Sequence, residues 1–156
     1  MEEKIFRNPD LSNRLLELVV KKNMKSTPST LFKAWTQEFE TWFAAPGTVI
    51  MEGQVNTTFF FETEYKFEAS QKAQREPHYG RFLRIKENEL VELTWITGPN
   101  GTKGAETVVK VTFEPLNRGT DLTLTHSGFL DEESKNQHKE AWPEVLKQMD
   151  EKYDSR

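Results

Sequence analysis

Residues 138–150 read HKEAWPEVLKQMD. Trp142, Val145, Leu146 and Met149 fall at i, i+3, i+4 and i+7, which is one stripe of an amphipathic helix. Pro143 stands inside that stripe, and a proline removes a backbone donor and crowds the preceding turn. The two facts agree if the main helix begins only about a turn before the proline, because the first four helical N–H groups have no intrahelical partner. The spacing therefore predicts a short helical turn from Asp131, a bend near His138, and a main helix from about Lys139 to Lys152. Asp131 is the candidate N-cap, and Glu132 and Glu133 suit the positive end of the helix dipole.

Upstream of this helix the pattern is mostly β. Residues 14–24, RLLELVVKKNM, read as a first strand. STPSTLFKAWT then opens a helix, with Ser26 or Thr27 as N-cap and Pro28 at the first helical position. A second apolar set, Phe39, Trp42 and Phe43, continues at helical spacing until Pro46-Gly47. From residue 48 the period changes to two. TVIMEGQV, TFFFETEYKF, HYGRFLRI, ELVELTWIT, ETVVKVTFE and TDLTLTHS read as six strands, with ASQKAQREP as a loop and KEN, GPNGTKG and PLNRG as turns. In TFFFETEYKF one face carries Phe59, Phe61, Thr63, Tyr65 and Phe67. Alternation predicts inward faces of Val91, Leu93 and Trp95, then Thr107, Val109, Val111 and Phe113, then Leu122, Leu124 and His126.

The bulk numbers narrow the function classes. The chain has 156 residues, 21 basic against 25 acidic, and no cysteine. One domain of this length buries a core without staples. Disulfides, thiolate metal sites and cysteine nucleophiles are excluded. The acidic balance argues against nucleic-acid binding; KKNMK at 21–25 is the densest basic run and reads as a solvated face. No apolar run approaches the ~20 residues that span a bilayer, and MEEKIFRNPD lacks the features of a secretory signal. The expectation is a soluble, cytoplasmic, single-domain protein. Eleven Phe, four Trp and three Tyr stand out in so polar a chain. Such a set fills a small core or lines a concave pocket.

Six short strands joined by turns form an antiparallel meander. One covered face needs a cover, and the terminal helix supplies it, with the two short helices closing an end. The fold class expected is α+β: a curved antiparallel sheet wrapped around a long C-terminal helix, with two short helices after the first strand. Incomplete filling between sheet and helix would leave a cavity.

Several stretches together carry a resemblance. TPSTLFKAWT followed by WFAAP, then PHYGRFLRI, ELVELTW, GTDLTLTHSGF and HKEAWPEVL, run in one order from about residue 13 to 153. In this they resemble the homologues of the heat-shock-protein-90 ATPase activator, within the START-like (SRPBCC) superfamily that includes a pollen-allergen group. The chain departs from that pattern at VNTT, where the family often has paired glycines, and at Ala141, where it commonly has glycine. The resemblance implies a helix-grip fold with a hydrophobic ligand cavity, as an N-terminal tail over 1–12 and a single domain over 13–153. It implies no single activity, since members divide among chaperone stimulation, small-molecule binding and self-resistance.

The expected ligand-binding residues are Trp42, Phe43, Phe59, Phe61, Tyr65, Trp95, His126, His138 and Trp142. The aromatic rings would supply apolar walls, and His126, His138 or Tyr65 would orient a polar end. His126 reads more readily as a buried, hydrogen-bonded core residue than as a catalytic base. His78, His126 and His138 show no metal-ligand spacing. No G-x-S-x-G is present, and Ser127 faces away from His126. Glu62, Glu64 and Glu92 fall on polar strand faces, and GPNGTKG joins two strands as a hairpin turn rather than a phosphate loop. The expectation is therefore a binding protein with no catalytic residues, no cofactor and no metal. Its partner would be a small apolar or aromatic molecule, the alternative being a chaperone. In the family's known co-chaperones the domain comes with a second one that has no counterpart in this sequence. A cyclase or hydrolase is a third, weaker reading. A monomer or weak homodimer is expected, with no nucleic-acid partner and no membrane insertion.

Overall fold

A computed structural model describes residues 8–65 and 73–154. Strand β1 (Leu16–Met24) leads into helices α1 (Pro28–Gln37) and α2 (Phe39–Trp42). Strands β2 (Ile50–Met51), β3 (Thr58–Tyr65), β4 (Gln74–Lys86), β5 (Leu90–Thr97), β6 (Thr107–Pro115) and β7 (Thr120–Phe129) follow, and helix α3 (Glu132–Asp154) closes the fold. The seven strands form one sheet in the order β1-β7-β6-β5-β4-β3-β2, with every neighbouring pair antiparallel. This is the α+β helix grip: a meander of six strands, the first strand returned to its far edge, and α3 across the covered face.

Local chemistry accounts for the first helix. Thr27 caps α1 by accepting from the Thr30 N–H, and Pro28 occupies the first turn. There its missing donor costs nothing. Helix α1 buries Leu31, Ala34 and Trp35, and the sheet answers with the inward residues that alternation predicts on β5, β6 and β7, all buried. The outward carboxylates are paired at the surface, Glu62 and Glu64 with Arg75 and Glu92 with Arg84. They stand on the solvated side of the sheet.

Three elements differ from the sequence reading. Helix α3 has no bend near His138; it runs unbroken from Glu132 and holds Pro143 in its interior. Pro143 and Lys139, whose carbonyl loses its usual partner, are both exposed, so the missing bond falls on the solvent side of the helix. The opposite stripe, Trp142, Leu146, Met149 and Tyr153, is buried, and this tertiary packing holds the helix through the proline. The N-terminus is capped as expected: Asp131 accepts from the Ser134 N–H at 2.8 Å.

The second difference is QREP, read as loop and found in β4. Pairing of β4 with β5 begins only at His78 opposite Thr97, whereas pairing with β3 extends to Gln74 opposite Tyr65. Residues 74–77 therefore overhang β5 with one neighbour, where a proline is tolerated and polar side chains meet water. Third, only Ile50–Met51 of TVIMEGQV is strand. Phe67 lies outside the described residues.

Side-chain bonds then lock α3 onto the rest. The Tyr153 hydroxyl donates to Glu38 at 2.9 Å, Gln148 to the Trp42 carbonyl at 2.8 Å, and the Lys25 N–H to Asp150 at 2.9 Å. At the other end, Lys103 in the β5–β6 loop bridges Asp131 at 3.0 Å and Glu133 at 2.8 Å. Among the described residues no helix is long and apolar enough to cross a membrane.

Candidate functional site

Where the overhang of β3 and β4 passes the first half of α3, sheet and helix do not fill the space between them. A cavity of about 320 Å³ remains. Trp95 from β5, Trp142 and Val145 from α3, and Phe43 just beyond α2 make its apolar wall. Polar groups gather on the other side: Thr63, Glu76 and His78 from β3 and β4, Thr97 and Asn100 around the β5–β6 turn, and Gln137 and His138 from α3. Asn100, Gln137 and Ala141 are exposed, so the mouth faces water while Trp95 and Trp142 form the buried floor.

The wall rings pack on one another. Phe43 stacks on Trp95 with centroids 5.9 Å apart, and Trp95 lies 5.4 Å from Trp142. The polar edge of Trp142 is turned into the fold. The Trp142 Nε1–H donates to His126 Nδ1 at 3.0 Å, and His126 Nε2 meets the Thr107 hydroxyl at 2.7 Å. That hydroxyl in turn donates to the Trp95 carbonyl. Proton positions follow from the chain. An indole N–H can only donate, so His126 Nδ1 accepts, Nε2 carries the proton, and every member is satisfied. His126 is fully buried, and burial holds its pKa well below the ordinary value, with repulsion from His138 adding to the effect.

His78 and His138 are arranged differently. His78 Nδ1 lies 3.1 Å from the Glu76 carbonyl and His138 Nδ1 2.8 Å from the Ser134 carbonyl. Carbonyl oxygens accept, so both Nδ1 atoms carry protons. Burial pushes the His78 pKa down to about 4 against the pull of its own bond to Glu76, and burial also lowers His138. In the neutral rings each Nε2 is thus a lone-pair acceptor, and neither has a hydrogen-bond partner among the described residues. His78 is further held by stacking on Phe61, with centroids 4.9 Å apart and planes within 17°.

A pH dependence follows. All three histidines have depressed pKa values when folded, so below the ordinary 6.5 the unfolded chain binds more protons, and for His78 this holds down to about 4. Stability is full above 6.5 and falls as pH drops through this window, by about 1.4 kcal/mol per pH unit for each histidine kept neutral. Asp131, lowered by the Ser134 N–H and by Lys103, acts only in a more acid window. Urea midpoints should fall steadily from pH 7 to pH 5, and less steeply in His78→Phe, which keeps the stack on Phe61. Equal slopes in the two proteins would refute the assignment.

Of the residues expected from sequence, the structure brings Phe43, Trp95, His138 and Trp142 together on the cavity. Trp42, Phe59, Phe61 and His126 it places in the packed core instead. Trp42 turns inward and donates to the Ala34 carbonyl at 2.9 Å. Phe59 and Phe61 pack around Phe39. Tyr65 ends β3 opposite Gln74. His126 and His138 are neighbours, with ring centroids 4.8 Å apart, but only His138 lines the cavity. Glu76, His78 and Asn100 are lining residues that sequence did not single out. His78 enters the sequence reading only as one of three histidines without metal-ligand spacing, on a strand whose inward face parity leaves ambiguous; Glu76 has no signal, lying in a segment read as loop. Among the described residues no group of three or more His, Cys, Asp or Glu side chains is placed to hold a metal ion.

Comparison with known proteins agrees with this architecture. Protein CV1439 from Chromobacterium violaceum superposes with a TM-score of 0.71 at 18% identity, over 86% of this chain and 95% of that one. The AHSA1 protein from Silicibacter pomeroyi gives 0.70 at 21% identity, over 87% and 96%. Protein MLL2253 from Mesorhizobium loti gives 0.69 at 20% identity, over 90% and 98%. At such identities these likenesses speak for the fold alone. No curated protein matches the chain in sequence. The family model described as activator of Hsp90 ATPase homolog 1-like protein matches residues 25–153, nearly the whole of the described fold. The chain belongs to that family of activator of Hsp90 ATPase homolog 1-like proteins, within the START-like superfamily.

Proposed function

We propose that the protein binds a small aromatic or apolar molecule in the cavity between the sheet and the first half of α3, without catalysing its conversion. The observation that carries this reading is the division of the cavity into an indole and phenyl wall and a facing set of oriented polar groups. Such a site fixes a ligand's apolar body and its polar end separately. Its volume of about 320 Å³ lies at the small end of ligand pockets and suits one or two fused rings. Burial of apolar surface, at about 25 cal/mol per Å², drives binding. A binding role rather than catalysis is supported by His126, the most buried of the imidazoles, whose two nitrogens are both committed within the fold.

The test combines two measurements. Native mass spectrometry of gently purified protein should reveal a co-purifying small molecule. Titration with 2-naphthol should quench tryptophan emission, since Trp95 and Trp142 form the cavity floor. Unchanged emission and a ligand-free spectrum across a broad apolar panel would sink the reading.

The family description favours a second reading, in which the domain stimulates the ATPase of a chaperone. That activity would use an outer surface rather than the cavity. A chaperone ATPase assay with added protein separates the two, because stimulation unaffected by blocking the cavity belongs to the second reading alone.

A further inference from the structure

Two imidazoles line the cavity with one nitrogen to spare. His78 on β4 and His138 on α3 each spend the Nδ1 proton on a backbone carbonyl, of Glu76 at 3.1 Å and of Ser134 at 2.8 Å. Each Nε2 is thereby fixed as an acceptor. Neither Nε2 is a buried atom without a partner; both are open to the space their residues line. The amides of the lining are more adaptable. Asn100 and Gln137 are exposed at the mouth, and a carboxamide carries donors as well as an acceptor. Asn100 has turned its Nδ2 to the Glu76 carboxylate at 3.0 Å. The fixed demand of the lining is therefore for a donor, and the rim can serve an acceptor on the same group.

Of the two imidazoles His138 is the better placed. His78 is enclosed by rings, stacked on Phe61 and met edgewise by Phe43 and Trp95 at 5.8 and 5.4 Å. His138 borders the mouth beside Gly101, where a Cβ would lie 3.7 Å from its Cε1, the ring atom next to Nε2. The glycine leaves that edge of the imidazole uncovered.

We propose that His138 Nε2 anchors the polar end of the ligand, and that this end is a hydroxyl on an aromatic ring. This rests on the reading of the cavity as the ligand site and names the group it recognises. The hydroxyl donates to His138 Nε2 and its oxygen accepts from an amide N–H at the mouth, while the ring lies against Trp95 and Trp142. An ether of the same ring can accept but cannot donate. It strips water from the imidazole lone pair and puts nothing in its place, and an acceptor covered without a partner is costly. A site built to bond a hydroxyl rejects the analogue that lacks the donor for this reason.

The test compares one ring system with and without the donor. At pH 7.5, above the ordinary imidazole value of 6.5 that burial lowers further in His138, 2-naphthol and 2-methoxynaphthalene are titrated into the full chain and followed by tryptophan quenching. The alcohol should bind at least about tenfold more tightly. In His138→Phe this preference should shrink to about twofold or less, while His138→Gln, whose side-chain carbonyl still accepts, should keep at least about threefold. Far-ultraviolet spectra confirm that both variants fold. In the unaltered chain, two-bond ¹H–¹⁵N spectra of the imidazoles should show His138 Nε2 moving upfield with 2-naphthol and not with the ether. An ether as tight as the alcohol, or an Nε2 signal indifferent to bound 2-naphthol, would overturn the proposal and leave the cavity as a ligand site. A folded His138→Phe protein with the full preference would overturn it too. If neither compound binds, the reading of the cavity fails and this inference with it.

Discussion

His126→Leu should destabilise the protein by about 2–4 kcal/mol, although leucine matches the histidine in volume and is more apolar. The reason lies in what it strands. The Trp142 Nε1–H, buried beneath α3, loses its acceptor at 3.0 Å, and the Thr107 hydroxyl loses the imidazole at 2.7 Å. A buried donor left without a partner costs about 1–3 kcal/mol, beyond the loss of the bonds themselves. Against a total stability of roughly 5–15 kcal/mol this is a large fraction, and the melting temperature should fall by about 5–15 °C. Trp142→Phe removes the donor from the other side. The double variant should therefore lose at least about 1 kcal/mol less than the two single losses added together. Additive losses would mean that the indole–imidazole bond carries no net energy, and the account of how α3 is fixed over the cavity would be wrong.

Ala141→Leu should have the opposite profile, with stability kept and binding lost. Ala141 is exposed on α3 and lines the mouth of the cavity, so a leucine there meets no packed core. Leucine is also a good helix former, and the substitution should change stability by less than about 0.5 kcal/mol. Its side chain would occupy space at the entrance of a cavity of only about 320 Å³. The affinity for 2-naphthol should drop by more than about tenfold, equivalent to about 1.4 kcal/mol. Full affinity in a folded Ala141→Leu protein would place the ligand elsewhere. The outer hollow beside Tyr79 and Pro99 would then be the next place to look. Trp42→Ala is the instructive contrast. Trp42 lies in the core and not on the cavity, so its removal should cost about 3–5 kcal/mol of stability.

How much of this was legible in the sequence follows from how local each signal is. Thr27-Pro28 and Asp131 announce helix starts because caps are made by residues within one turn of each other. Parity gave the inward faces of β5, β6 and β7 because all three are long, central and covered on one side. It failed for residues 74–77, where the strand overhangs and composition looks like a loop. Pro143 was misjudged because the sequence shows the proline but not the solvent around the Lys139 carbonyl. The site was harder. Trp42 and Phe43 are adjacent at the end of a four-residue helix, and a single step of rotation decides which ring faces the cavity. His78 reaches the site only through the register of two hairpins, which sets it opposite both Phe61 and Thr97. His126 was recognised as an inward polar residue, but its partners, Thr107 and Trp142, come from another strand and from α3. Nothing near it in sequence distinguishes a core bond from a ligand contact.

The central claim, that the cavity under α3 takes the ligand, is tested most directly by ¹H–¹⁵N NMR during a titration with 2-naphthol. The account predicts shift changes concentrated at the Trp95 and Trp142 indoles, Gly101, His138, Ala141 and Val145, with β1 and the outer face of β6 unmoved. Shifts confined to other surfaces, or none at saturating probe, would contradict it.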